Sequence, residues 1–229
     1  MRGGMSALLA GVTLAAGLVF GVTAPAQADD RADAIALVDK STITVRNFIR
    51  DPDMTWFQAN AHKAMGLLIV PSMIKGGFIL GGSGGSGVLV ARGKAPEGWS
   101  DPAFYTVGSV TFGLQIGGEV SELVLIVMTQ KGMDALLSNS FKLGGDVSVA
   151  AGPVGAGAKA QTADVIAFSR AKGAYGGINL EGAVIALRND WNSAYYGRSV
   201  RPIEILVTRE VSNPASADLL AALAGLKGL

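Results

Sequence analysis

The chain of 229 residues contains no cysteine and one histidine, His62. Disulfides, thiol catalysis and thiolate metal sites are therefore excluded. A single imidazole without cysteines also disfavours a zinc or copper site, and no G-x-S-x-G elbow is present to serve a hydrolase triad. The fold must be held by its core alone, and hydrophobic residues make up 49% of the chain.

The chain also lacks a charge imbalance. It has 19 basic and 18 acidic residues, a formal net charge of +1. Bulk charge therefore favours neither nucleic acid nor a strongly anionic surface as a partner, and nucleic acid is not expected to bind. Any anion must be bound by a local group of cations.

The N-terminus has the pattern of a secretory signal peptide. Arg2 precedes a charge-free apolar stretch from Ala7 to Val22, and Ala26-Gln27-Ala28 supplies a small-residue cleavage site. The alternative is an uncleaved membrane anchor, but the apolar stretch is shorter than the roughly 20 residues that usually span a bilayer. We therefore expect residues 1–28 to be removed, residues 29–229 to form one domain, and the protein to be periplasmic or secreted.

Helical periodicity marks the start of this domain. Apolar residues recur near helical spacing over 30–50, with Asp51-Pro52 as a stop, and a second helix is predicted over 53–65. A short helix is predicted in the middle of the chain, over 132–138. Near the C-terminus, Asn213-Pro214 has the composition of a helix start.

The middle of the chain has strand patterns. From about 73 to 130, glycine and small residues alternate with aliphatic residues, and the run LVLIVM at 123–128 is typical of a central strand covered on both faces. Further strands are predicted near 147–150, 164–170 and 178–187. The layout predicts an α+β fold: a curved, mostly antiparallel, barrel-like sheet with N-terminal helices and a C-terminal helix.

The most unusual segment runs from Lys75 to Arg92, KGGFILGGSGGSGVLVAR. Its apolar runs, 78–80 and 88–90, predict two strands around a glycine turn. The glycines formally match G-x-G-x-x-G, but a dinucleotide loop must lead into a helix, and a strand-like run follows here. No cofactor is therefore expected.

Several basic residues lie at the ends of predicted strands, where charges are usually solvated. A subset of them could converge on an anionic head group, and the candidates are Lys75, Arg92, Lys94, Arg170 and Lys172. The helix over 30–50 could insert at a membrane interface or pack on the sheet. A carboxylate pair such as Glu119 and Glu122 could serve an enzyme, but nothing in its spacing separates it from surface residues.

A series of short motifs follows in order over about residues 34–224. It includes Ala64-Met65-Gly66-Leu67, Lys75-Gly76-Gly77-Phe78, Phe112-Gly113-Leu114-Gln115-Ile116-Gly117, Ala151-Gly152-Pro153 and Asn179-Leu180-Glu181-Gly182. In their order and spacing these motifs resemble the SYLF-domain family of lipid-binding proteins.

The resemblance implies a non-enzymatic module that binds membrane phospholipids. Eukaryotic members bind phosphoinositides with the help of an N-terminal amphipathic helix, and some act at actin patches. With its signal peptide the chain looks like a bacterial secreted or periplasmic member that binds phosphoinositides or other anionic phospholipids. The alternatives are a structural or protein-interaction module of the cell envelope and, last, an enzyme with an unrecognised active site.

Overall fold

The structure is a computed structural model of the chain, and it describes residues 25–77, 80–93, 98–112, 117–152, 162–171 and 180–226. Most of the predicted signal peptide lies outside these residues, so its cleavage and the division at residue 28 remain predictions. No helix in the described ranges is long and apolar enough to cross a membrane.

Helices flank a central run of strands. The helices are α1 (Pro25–Arg50), α2 (Thr55–Asn60), α3 (Gln130–Leu136), α4 (Asn189–Tyr196), α5 (Pro202–Leu206) and α6 (Ala217–Ala224). The strands are β1 (Gly66–Gly77), β2 (Leu80–Ala91), β3 (Ala103–Phe112), β4 (Gly117–Val127), β5 (Ser140–Lys142), β6 (Val149–Ala151), β7 (Val165–Ala171) and β8 (Val184–Leu187).

The described strands form one sheet in the order β5-β8-β3-β2-β1-β4-β7-β6. Neighbouring strands are antiparallel except for β6 and β7, and the sheet curls into a half-barrel. The predicted α+β class, with its curved and mostly antiparallel sheet, is confirmed.

Both faces of the sheet centre are buried, because side chains alternate between faces along each strand. In β1, Leu67 and Ile69 pack under α1, α2, α4 and α6, whereas Leu68 and Val70 pack in a second core with α3 and α5. The predicted central strand is confirmed, since Leu123 to Val127 are all buried.

Helix α1 is docked on the sheet. Its predicted apolar stripe is confirmed: Ala34, Val38, Val45 and Phe48 have at most 1% of their surface exposed. Burial of each larger apolar side chain contributes about 1.5–3 kcal/mol. Insertion of this stripe into a membrane would therefore uncover the sheet residues beneath it, at a cost on the order of several kcal/mol.

The glycine segment differs from its prediction, because Gly81 to Gly87 lie inside β2 and not in a turn. In the antiparallel pairing of β1 with β2, Ile74 lies opposite Gly84 and Gly77 lies opposite Gly81. The register shifts at a bulge in β1 between Ile69 and Ile74, where the backbone of β1 lies close to β2. A Cβ at Gly85 would lie 2.5 Å from the carbonyl oxygen of Ser72, so only glycine fits there.

Other helix boundaries also differ. The second predicted helix is shorter than 53–65, because α2 ends at Asn60 and one 3-10 turn leads to Ala64, which is already extended. Helices α4 and α5 were not predicted. A tertiary hydrogen bond positions α4: the buried Asn192 side chain accepts from the Phe104 backbone N–H at 3.0 Å. The same side chain donates to the Arg188 carbonyl oxygen, one turn earlier, at 2.9 Å.

Candidate functional site

Beyond the two cores, strands β1 to β4 continue into an outer half of the sheet, and one of its two faces is apolar and open. One row of directly paired residues crosses five strands there: Val120, Ile74, Gly84, Gly108 and Val184. Three of these are aliphatic and exposed, with 54% of Val120, 58% of Ile74 and 43% of Val184 accessible.

The next outward row on the same face is Gly118, Gly76, Gly82 and Val110. Val110 has 71% of its surface exposed. The residues between these aliphatic side chains are glycines, which have no side chain. The aliphatic side chains therefore extend into solvent without neighbours that cover them. We call Ile74, Val110, Val120 and Val184 the outer apolar face.

The outer apolar face lies on the side of the sheet that α1 covers further in. Lys40 of α1 lines a cleft of about 450 Å³ together with Ile74 and Gly84. Ile43, which is 55% exposed, lies three residues further along the helix, and the exposed Arg46 follows after another three. Residues three apart are neighbours on a helix surface, so Ile43 lies beside Lys40 on α1. The carboxylate side chain of Asp33 lines the same cleft as Lys40, so α1 borders the apolar face with charges of both signs.

The reverse side of the outer sheet is polar. Lys75 pairs in register with Ser83 and Glu119, and Ser83 pairs with Ser109. The two serine hydroxyls are 2.7 Å apart. The outer sheet is therefore amphipathic, with aliphatic residues and glycine on one face and hydroxyl and charged groups on the other.

The structure separates two of the predicted site residues, Lys75 and Arg92. Arg92 follows Ala91, which pairs with Gly66 at the start of β1, and Lys75 lies nine positions further along that strand. At about 3.3 Å per residue the two cations are about 30 Å apart. They cannot contact the same phosphate group.

Arg170 holds elements of the fold together. Its Nε donates to Asp51 at 2.8 Å and its Nη1 to Glu122 at 2.9 Å. Glu122 also accepts from Thr44 and Asn47 of α1, at 3.1 and 2.8 Å. These hydrogen bonds, to Glu122 first and then to Asp51, raise the pKa of Arg170 above its ordinary value. The network fastens α1 to β4 and β7.

The remaining predicted site residues, Lys94 and Lys172, lie outside the described residues. The lipid-binding role of all five cations stays a prediction. Sequence reasoning missed the outer apolar face, although its signal was present: aliphatic residues alternate with glycine and small residues in β1 to β4 where both strand faces cannot be buried.

The described residues offer little for catalysis. Glu119 and Glu122 lie on opposite faces of β4, because they are an odd number of positions apart. Both side chains line a cleft of about 650 Å³ at the edge of the sheet, where Glu122 is already paired with Arg170. In the same ranges no group of three or more His, Asp or Glu side chains could hold a metal ion.

Comparison with known proteins places the chain in a family. A family model described as "Ysc84: Las17-binding protein actin regulator" matches residues 108–226, more than half of the chain. This match begins within β3 and includes β4 to β8 and the helices that follow them.

Relatives from several eukaryotes are similar over a longer part of the chain. The human "SH3 domain-containing YSC84-like protein 1" is 35% identical over 163 residues, 68% of this chain and 46% of that protein. Its counterpart in Xenopus laevis is 33% identical over 202 residues, 85% of this chain and 58% of that protein. The "LAS seventeen-binding protein 3" of Saccharomyces cerevisiae is 35% identical over 169 residues, 70% of this chain and 36% of that protein.

The chain thus spans about half or less of the length of most of these relatives, so their names describe proteins with additional parts. The family match includes Val110, Val120 and Val184 of the outer apolar face. The order of the motifs, the family match and these relatives agree, and the chain belongs to the Ysc84 family of SYLF-domain proteins.

Proposed function

We propose that this chain is a non-enzymatic module that binds membrane phospholipids with its outer apolar face. The observation that carries the proposal is the row of Val120, Ile74 and Val184, each 43–58% exposed across five neighbouring strands. Contiguous exposed apolar surface of this kind marks protein or membrane contact sites.

The surroundings of the face suit a bilayer surface. Lys40 of α1 lines the cleft beside Ile74, and Lys75 follows Ile74 near the end of β1. At this border their ammonium groups can reach lipid phosphates while the aliphatic side chains enter the acyl region. The docked α1 supplies this border without leaving the sheet. The expected ligands are anionic phospholipids, phosphoinositides among them.

The setting that we propose is the periplasm or the cell exterior, because residues 1–28 have the pattern of a signal peptide. A bacterial origin fits this pattern. The family description, which names a binding protein and not a catalyst, supports a non-enzymatic role.

Vesicle flotation tests the proposal. The protein is expected to float with vesicles of phosphatidylcholine and phosphatidylglycerol, with an affinity about tenfold or more above that for phosphatidylcholine alone. Each cation near an anionic surface contributes about 1 kcal/mol, and two of them, Lys40 and Lys75, lie next to the face. Raising the salt concentration should reduce this preference without abolishing binding. Failure to float with either vesicle type would overturn the proposal.

A second candidate function is binding to a protein partner, as in the alternative of an envelope interaction module. The name of the yeast relative and the family description both refer to binding of a protein, Las17. If the chain is a protein-interaction module, a partner protein would cover the outer apolar face. A stable complex with one envelope protein after detergent extraction, combined with absence of flotation, would favour it.

A further inference from the structure

A second surface feature lies at the opposite end of β1 and β2. A cleft of about 410 Å³ opens there beside α3 and α5, within the about 300–1,000 Å³ usual for small-molecule sites. Its polar lining is Arg92, Gln130 and Arg209, and its apolar lining includes Met65, Met133, Leu137, Leu206 and Val207. No carboxylate is among the described residues that line it. We call this the Arg92 cleft.

Arg92 is held in place, but two of its three guanidinium nitrogens have no acceptor among the described residues. Its guanidinium carbon lies 4.3 Å from the centre of the Trp99 ring, and the Trp99 indole donates to the Leu223 carbonyl oxygen at 3.2 Å. The Nε and Nη2 atoms of Arg92 are buried and have no hydrogen-bond partner in the described part of the chain. Burial lowers the pKa of Arg92, yet a guanidinium stays protonated. A buried charge without an acceptor is costly, so an anion that paired with this guanidinium would relieve the cost.

Arg209 brings a second cation to the same cleft. Its backbone has φ +54°, in the left-handed region that side chains rarely adopt. Its Nη2 donates to the Gly98 carbonyl oxygen at 3.0 Å, beside the strand bridge between Arg92 and Trp99. Strained backbone of this kind persists where the surrounding structure holds it, and it is frequent at ligand sites.

We propose that the Arg92 cleft binds a small amphiphilic oxyanion, that is, one phosphate or carboxylate group on a single hydrocarbon chain. The oxyanion would accept hydrogen bonds from Arg92, and the chain would lie against the methionine and leucine side chains. Flexible methionines adapt to unbranched chains of different length. The site is about 30 Å from Lys75 and the outer sheet, so it goes beyond the proposed membrane contact and requires no bilayer.

Titration calorimetry with soluble single-chain probes tests this site. Decyl phosphate and decanoate, kept below their micelle concentrations, are expected to bind, and the tighter of the two indicates whether the natural ligand carries phosphate or carboxylate. Inorganic phosphate and decanol each supply half of the interaction and should bind at least about tenfold more weakly. Equal binding of decanol and decyl phosphate would overturn the proposal, as would absence of binding by both anions.

Variants locate the binding. Arg92→Gln is expected to weaken decyl phosphate binding about tenfold or more, because it removes charge-assisted hydrogen bonds. Arg188→Gln is the matched control: Arg188 also stacks on a tryptophan, 3.7 Å from the Trp191 ring, but it pairs with Asp190 and lies elsewhere. This control should bind as the unchanged chain does.

A second variant covers the case in which Arg92→Gln fails to fold. Gln130 is exposed and donates to Asp134 one turn along α3 at 2.7 Å. Gln130→Glu should therefore fold with only a small loss of stability, and it places a carboxylate in the lining of the cleft. It is expected to weaken decyl phosphate binding about fivefold by charge repulsion. Unchanged affinity in both Gln130→Glu and a folded Arg92→Gln would contradict the site. Vesicle flotation of the same variants should remain normal, which separates this proposal from the membrane-binding one.

Discussion

Replacing Gly85 with alanine is expected to lower the free energy of unfolding by about 3 kcal/mol. A Cβ at this position would lie 2.5 Å from the Ser72 carbonyl oxygen and 2.8 Å from Cγ1 of Val70. Neither atom belongs to the free end of a flexible side chain, so the bulged backbone of β1 would have to move. For a chain of this size the melting temperature should fall by roughly 10 °C.

Gly84→Ala is the matched control for this change. The nearest atom to a Cβ at Gly84 is the Val107 carbonyl oxygen at 3.8 Å, an ordinary contact. Alanine also restricts the unfolded chain more than glycine does, so the stability should be unchanged or higher by about 0.5 kcal/mol. Chemical denaturation monitored by circular dichroism measures both variants. Equal stability of the two would show that β1 and β2 are not in close contact at the bulge.

Replacing both Ile74 and Val110 with aspartate is expected to weaken vesicle binding roughly thirtyfold or more. Each aliphatic side chain that enters the acyl region contributes on the order of 1–2 kcal/mol, and a carboxylate near lipid phosphates adds repulsion. Both side chains are more than half exposed in the folded chain, 58% and 71%, so the variant should fold. Vesicle flotation gives the change in affinity.

A second exposed isoleucine and valine, on another surface of the chain, supply the control for the Ile74 and Val110 variant. Ile203 and Val207, at and just beyond α5, are 41% and 53% exposed, and Val207 lines the Arg92 cleft at the opposite end of β1. The double change Ile203→Asp and Val207→Asp should leave vesicle affinity within about twofold of the unchanged chain. Equal losses in both double variants would mean that added negative charge, and not a specific face, weakens binding.

The sequence predicted those elements whose residues alone determine their environment. The stripe of Val38, Val45 and Phe48 has helical spacing, and the uninterrupted run of 123–128 has nowhere to place a solvent-facing residue. The α4 helix could not be predicted in this way. Its position depends on Asn192, whose side chain bonds the backbone of β3 from 88 residues away along the chain.

The grouping of Lys75 with Arg92 shows how one local error changes a site. A turn within the glycine run would have placed the two cations opposite each other across a hairpin. In the structure, Lys75 pairs with Ser83 and Arg92 follows the residue that pairs with Gly66. Glycine is common in turns, but here it permits two backbones to approach, and this distinction depends on the bulge in the neighbouring strand.

The absence of cysteine makes a direct test of the membrane contact possible, because one introduced thiol can be labelled alone. An environment-sensitive fluorophore on Val110→Cys should shift to the blue on addition of anionic vesicles and should be quenched by brominated acyl chains. The same label on Val207→Cys should show neither change. The account is contradicted if vesicles bind the protein while the label at position 110 stays in water, or if both labels respond alike.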